Sequence, residues 1–116
     1  MNTRRFGFIG EKIAQSYLCK NGYEILEINF YSKKGEIDII AQKNNCIVFV
    51  EVKTRSNFKY GTPAMAVNST KMKHIKYAAK VFLKLNQYKE YMIRFDVIEI
   101  LIKEGKCKIN HIKDIM

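Results

Sequence analysis

The pattern of apolar and polar positions is organised around residues 35–55. Two β-branched runs, 36–42 and 47–54, flank the polar connection Lys43-Asn44-Asn45-Cys46. Such runs joined by an Asn-rich link predict a hairpin, because Asn tolerates the positive φ that a tight turn demands. With the turn centred on Asn44-Asn45, Asp38 falls opposite Glu51, Glu36 opposite Lys53, and Ile40 opposite Phe49. Directly opposed residues share a face. One face is then expected to carry Glu36, Asp38, Glu51 and Lys53. The other would carry Ile37, Ile39, Val48, Val50 and Val52 and form a core face. A slip of one residue would bury Glu51 and Lys53, so the apolar pattern itself selects this register.

The flanking patterns complete the domain. Residues 6–20 place Phe6, Ile9, Ile13, Ala14, Tyr17 and Leu18 on one helical arc, and Asn21-Gly22 supplies a stop. Residues 23–30 hold Ile25, Leu26, Ile28 and Phe30 and predict a first strand. Pro63 is expected to open a helical segment. Asn68 or Ser69 caps a helix running to about Leu85, with Ile75, Ala78, Ala79 and Phe82 inward and Met72 and Leu83 at the margins. Residues 92–102 alternate Ile93, Phe95 and Val97 against Arg94, Asp96, Ile98 and Ile100. Glu104-Gly105-Lys106 reads as a turn before a short last strand, 107–112. Arg94 and Asp96 share a face and read as an ion pair tethering their strand. His74 reads as a surface residue, and His111 as lying near a frayed end. The order is helix, three strands, helix, two strands. Strands joined by tight loops are antiparallel, and a strand reached through a helix can return parallel. The expectation is an α/β domain with a mixed central sheet flanked by helices.

The 116 residues fit one domain, 1–116, with little room for a separate substrate domain. Lys and Arg number 21 against 11 Asp and Glu, a net charge of +10 that favours a polyanionic partner such as nucleic acid. Cys19, Cys46 and Cys107 are widely spaced without a C-x-x-C pair. They predict neither a zinc site nor a disulfide framework, but reduced, buried or half-buried thiols in a cytoplasmic protein. No apolar run reaches membrane-spanning length, and the first residues lack a signal-peptide core. The loop at 55–62 interleaves Arg55, Lys59, Phe58 and Tyr60 just beyond Glu51 and Lys53. Its cations suit phosphates and its rings suit an unpaired base, unless the rings pack back on the core. Lys33 and Lys34 precede Gly35 in a solvated turn, where they too can reach phosphate.

Opposed carboxylates repel, and a divalent cation is the simplest compensation. Mg²⁺ takes oxygen ligands, commonly one or two carboxylates with waters and phosphate oxygens. An Asp, a Glu-x-Lys and a basic chain therefore suggest metal-assisted phosphodiester hydrolysis.

Asp38 followed by Glu51-Val52-Lys53 resembles the PD-(D/E)xK nuclease motif. The wider set is Gly10-Glu11, Gly35-Glu36-Ile37-Asp38, the run from Phe49 to Arg55, Lys71 and Arg94-Phe95-Asp96. Over nearly the whole chain this set resembles the YraN family of predicted endonucleases, which is similar to archaeal Holliday junction resolvases. Ile37 stands where the motif's name has proline, as this group of nucleases commonly allows. The resemblance implies a restriction-endonuclease-like αβββαβ core with the last strand as an addition. It implies an endonuclease using Mg²⁺ or Mn²⁺ on DNA, with branched or junction DNA a candidate substrate, in repair or recombination. Asp38, Glu51, Glu11 and the Val52 backbone carbonyl would be metal ligands, with Lys53 acting on the attacking water. Glu36 and Lys71 would support them, and Arg55, Lys59, Tyr60, Lys33, Lys34 and Lys71 would meet the nucleic acid. The competing expectation is a nuclease-fold binding module that acts with a partner and cuts little. Junction resolvases work as homodimers, but no self-complementary apolar patch marks a dimer face here.

Overall fold

The computed structural model describes residues 3–56 and 68–115. The expected loop residues Phe58, Lys59 and Tyr60, and Pro63, lie outside them. The elements are α1 (Thr3–Lys20), β1 (Glu24–Tyr31), β2 (Glu36–Lys43), β3 (Cys46–Arg55), α2 (Ser69–Leu85), β4 (Met92–Lys103) and β5 (Lys106–Ile112). The strands form one sheet in chain order, antiparallel except for the parallel β3–β4 pair that the α2 crossover creates. This is the mixed α/β sheet and element order that the pattern predicts.

Local chemistry sets the boundaries. Gly22 sits at φ +86° and ends α1 where Asn21-Gly22 was expected to. Asn68 caps α2 by accepting the Lys71 N–H at 2.9 Å. The β2–β3 turn is the two-residue Asn44-Asn45 loop, with Asn44 at φ +55° and Lys43 paired to Cys46. Glu104 and Gly105 both have positive φ and join β4 to β5, as a tight hairpin turn requires.

Two apolar layers enclose the sheet. On the α1 side Ala14 and Leu18 pack against Ile39, Ala41, Val48, Val50, Ile98 and Ile100. On the α2 side Ile75, Ala78, Ala79 and Phe82 pack against Ile37, Ile40, Ile47 and Phe49. Ile40 pairs with Phe49 as the register predicts. Ile37, however, does not join Ile39 on one face; it belongs to the α2 layer. The regular β2–β3 ladder begins only at Ile39–Val50, so strict alternation fails at Asp38. A side chain replaces the ladder there: the Val52 N–H donates to Asp38 Oδ2 at 2.8 Å.

Two glycines draw the helices onto the strands. A Cβ on Gly10 would overlap the Thr54 side chain, so α1 can touch β3 only because no side chain intervenes. A Cβ on Gly35 would stand 2.6 Å from the His74 carbonyl oxygen, so the start of β2 abuts the α2 backbone. The residues next in sequence, Glu11 and Glu36, are thereby carried toward the same end of β3.

Candidate functional site: an acidic cleft between β2 and β3

The cleft opens where β2 leaves β3. Glu51 is buried at 9% exposure and meets two ammonium groups. Lys71 Nζ lies 2.6 Å and Lys53 Nζ 3.3 Å from its Oε1. Asp38 stands beside it, held by the Val52 N–H. Burial, together with the charge on Glu51, pushes the Asp38 carboxyl up to about 7, against the lowering influence of Val52 and Lys71. Glu11 is also raised, by burial first and then by the charges of Glu36 and Glu51. Burial lowers the Lys53 ammonium, and its neighbour Lys71 adds to the effect. Burial also acts to lower Lys71, but contacts with Glu51 and Asp38 outweigh it and its pKa is raised. The structure thus brings Glu11, Glu36, Asp38, Glu51, Lys53 and Lys71 into one electrostatic neighbourhood.

The cleft faces an open pocket of about 400 Å³ lined by Gly35, Glu36, Glu51, Asn68, Thr70, Lys71, His74 and Ile75. Glu36 is exposed at its rim. Among the described residues no three His, Cys, Asp or Glu side chains stand close enough to enclose a metal ion. Asp38 and Glu51 nevertheless form the oxygen pair that suffices for a hard cation when water and phosphate complete the shell. A cation between the two would offset the burial and the Glu51 charge that raise the Asp38 carboxyl. The donor set fits such an ion.

The other expected site residues fall elsewhere. Arg55 Nε lies 3.0 Å from Oε2 of the fully buried Glu99, an ion pair without hydrogen-bond alignment. Arg55 is therefore engaged within the sheet. Lys34 lies over the Tyr77 ring, 5.3 Å from its centroid, and Lys33 is exposed. Lys59 and Tyr60 lie outside the described residues. Cys19 and Cys107 are exposed and Cys46 half-buried, so the expectation of covered thiols fails for two of the three.

Arg94 and Asp96 do form the expected ion pair, through two hydrogen bonds at 2.9 and 2.8 Å. His111 is not frayed: its side chain is 5% exposed and Nε2 lies 2.7 Å from Asp96 Oδ2. Tyr17 OH is 2.9 Å from His111 Nδ1, Tyr23 OH accepts from Arg94, and the Asp114 N–H donates to Asp96. Burial would raise Asp96, but His111, Arg94 and the Asp114 N–H hold it below its ordinary value. His111 thus bridges the Asp96 carboxylate through Nε2 and the Tyr17 hydroxyl through Nδ1. Sequence spacing held a clue: His111 lies two residues from Ile109 and so shares its face, which packs into the α1 layer.

Fold and cleft together define a small mixed-sheet α/β protein with a lysine-flanked acidic site. Among the described residues no helix is long and apolar enough to cross a membrane. The chain belongs to the uncharacterised protein family UPF0102, whose model matches residues 10–100, the family to which the resemblance pointed as YraN. It is 51% identical to a UPF0102 protein of Caldicellulosiruptor bescii, over 98% of this chain and 98% of the relative. Relatives of the same description from Syntrophomonas wolfei and Alkaliphilus oremlandii are each 47% identical. The first spans 95% of this chain and 96% of its own, the second 97% of each. A solved structure described as "Crystal structure of SSO0001" aligns over 98% of this chain and 53% of its own. Its identity of 21% and TM-score of 0.39 make the likeness too slight to argue from.

Proposed function

We propose that the chain is a metal-dependent endonuclease that hydrolyses DNA phosphodiester bonds, with branched or junction DNA its candidate substrate class and a restriction-endonuclease-like αβββαβ core. The observation that carries this reading is the meeting of Asp38, Glu51 and Lys53 at the point where β2 parts from β3, beside an open pocket. The net charge of +10 suits a polyanionic substrate.

Asp38 and Glu51 would hold Mg²⁺ or Mn²⁺, with the Val52 carbonyl as a further ligand. The ion, when bound, supplies Lewis-acid polarisation of the phosphate and a water acidified toward hydroxide. The protein's own groups prepare that site. The Val52 N–H fixes the Asp38 carboxylate. Lys71, at 2.6 Å, holds Glu51 in one position. Lys53 brings a lowered-pKa ammonium beside Glu51, where it orients the attacking water and offsets charge that grows on the phosphate oxygens. Glu11 and Glu36 keep the cleft negative and favour a cation there.

The test is Asp38→Asn, assayed for cleavage and binding on the same labelled DNA. Cleavage is expected to vanish while affinity stays within a few-fold. Undiminished cleavage by the purified variant would remove Asp38 from the chemistry.

A further inference from the structure

The face of the sheet that bears Glu51 continues past the cleft. β3, β4 and β5 pair in continuous register, Lys53–Glu99–Asn110 and Arg55–Leu101–Lys108, ending at Lys103–Lys106. Ile98, Ile100, Ile102 and Ile109 point to the α1 layer. Strand alternation therefore puts Leu101, Lys103, Lys106 and Lys108 on the opposite face, with Glu51, Lys53 and Arg55. Lys103, Lys106 and Lys108 are exposed. They line a shallow concavity of about 360 Å³ with Leu101, Glu104 and Cys107, and among the described residues Glu104 is the one acidic group in it.

Because β3 and β4 run parallel, this hairpin projects from the same end of the sheet as the cleft. Lys108 lies four residues along and two strands across from Glu51, about 16 Å at ordinary strand spacings. Lys103 and Lys106 extend the row to about 22 Å. At one phosphate per about 3.4 Å of each DNA strand, that separation spans about five to six base pairs. A two-stranded ribbon fixes the spacing of the three lysine backbones, and their flexible side chains can then meet the regular anions of a nucleic-acid backbone.

We propose that the β4–β5 hairpin is a phosphate clamp, in which Lys103, Lys106 and Lys108 grip the DNA backbone about half a helical turn from the bond at the cleft. It rests on the nuclease reading and adds a binding surface outside the catalytic residues. The clamp contributes affinity and register without sequence preference.

The experiment measures binding of a fluorescein-labelled thirty-base-pair duplex by anisotropy across a salt series without divalent metal. It compares the wild type, Lys103→Gln/Lys106→Gln/Lys108→Gln, and a charge-matched control, Lys76→Gln/Lys80→Gln/Lys84→Gln, on exposed positions of α2. Each phosphate contact contributes about 0.9 to the slope of log affinity against log salt, so the hairpin variant should flatten it by about 2 to 3 and the control by less than about 1. The single variant Lys106→Gln should flatten it by about 1, which guards against a misfolded triple variant. Equal slopes for wild type and hairpin variant, or equal flattening by the control, would overturn the clamp and leave the nuclease reading standing. A wild type that does not bind the duplex would likewise overturn the clamp, whereas the nuclease reading is tested separately by cleavage in the presence of metal.

Discussion

Replacing Asp38 by Asn also tests the electrostatics of the cleft through stability alone. The Asp38 carboxyl lies at about 7 against an ordinary 3.8, the reverse of the usual salt-bridged aspartate. Between about pH 4 and about pH 7 the folded protein keeps a proton at Asp38 that the unfolded chain has released. Stability must therefore fall as pH rises through that window, and above it the folded state carries the whole cost of an ionised Asp38. One unit corresponds to about 1.36 kcal/mol, so roughly three units set a ceiling of about 4 kcal/mol. Solvent at the mouth of the pocket screens part of this, which leaves about 2 kcal/mol. Asn keeps an oxygen to accept the Val52 N–H and carries no charge. Urea unfolding of both proteins across this range should show the variant gaining about 2 kcal/mol on the wild type from about pH 4 to about pH 8. A pH-independent difference, or one growing toward acid, would refute the reasoning. Near pH 8, added Mn²⁺ should raise the wild-type melting temperature and raise that of Asp38→Asn much less, because the variant keeps only Glu51 of the two carboxylates that would hold the cation.

Three further outcomes follow from the same geometry. Lys71→Ala removes the closer of the two ammonium groups from Glu51; because the lysine side chain is 39% exposed, the loss in urea unfolding at neutral pH should be only about 1 kcal/mol. Arg94→Ala leaves Asp96 with His111 and one backbone N–H, and should destabilise by about 3 kcal/mol in the same assay. Since Asp96 is held below its ordinary value, its contribution is present above about pH 4 and fades as pH falls through the folded pKa, so the gap between Arg94→Ala and the wild type should narrow in acid. Gly35→Ala must separate β2 from the His74 carbonyl and should cost about 2 kcal/mol; a melting temperature equal to that of the wild type would show that the close approach is not required.

The cleft was more legible in the sequence than its surroundings. Asn44-Asn45 and the alternation around it predict the Ile40–Phe49 pair, and so place Asp38 near Glu51. Ile75, Ala78, Ala79 and Phe82 marked the buried face of α2 by spacing alone. The sequence reading failed where a strand stops alternating. Ile37 lies in the other layer from the one alternation predicts, because a side-chain contact, Val52 N–H to Asp38, takes over from the ladder, and periodicity carries no sign of that exchange. The need for Gly10 and Gly35 was hidden for a related reason: each serves a backbone approach between elements distant in sequence. The pairing of His111 is not local, since its partners Tyr17 and Asp96 lie 94 and 15 residues away. The strength of the Lys71–Glu51 contact was equally out of reach, since it depends on how α2 crosses β3.

The most direct measurement is one cleavage panel in Mn²⁺ and in Mg²⁺. It offers end-labelled four-way junction, flap, duplex, single-stranded DNA and RNA to the wild type and to Glu51→Gln. The account predicts metal-dependent cutting of DNA by the wild type alone, with the preferred form naming the substrate class. Equal cutting by both proteins, or salt-sensitive binding without cutting by either, would contradict it.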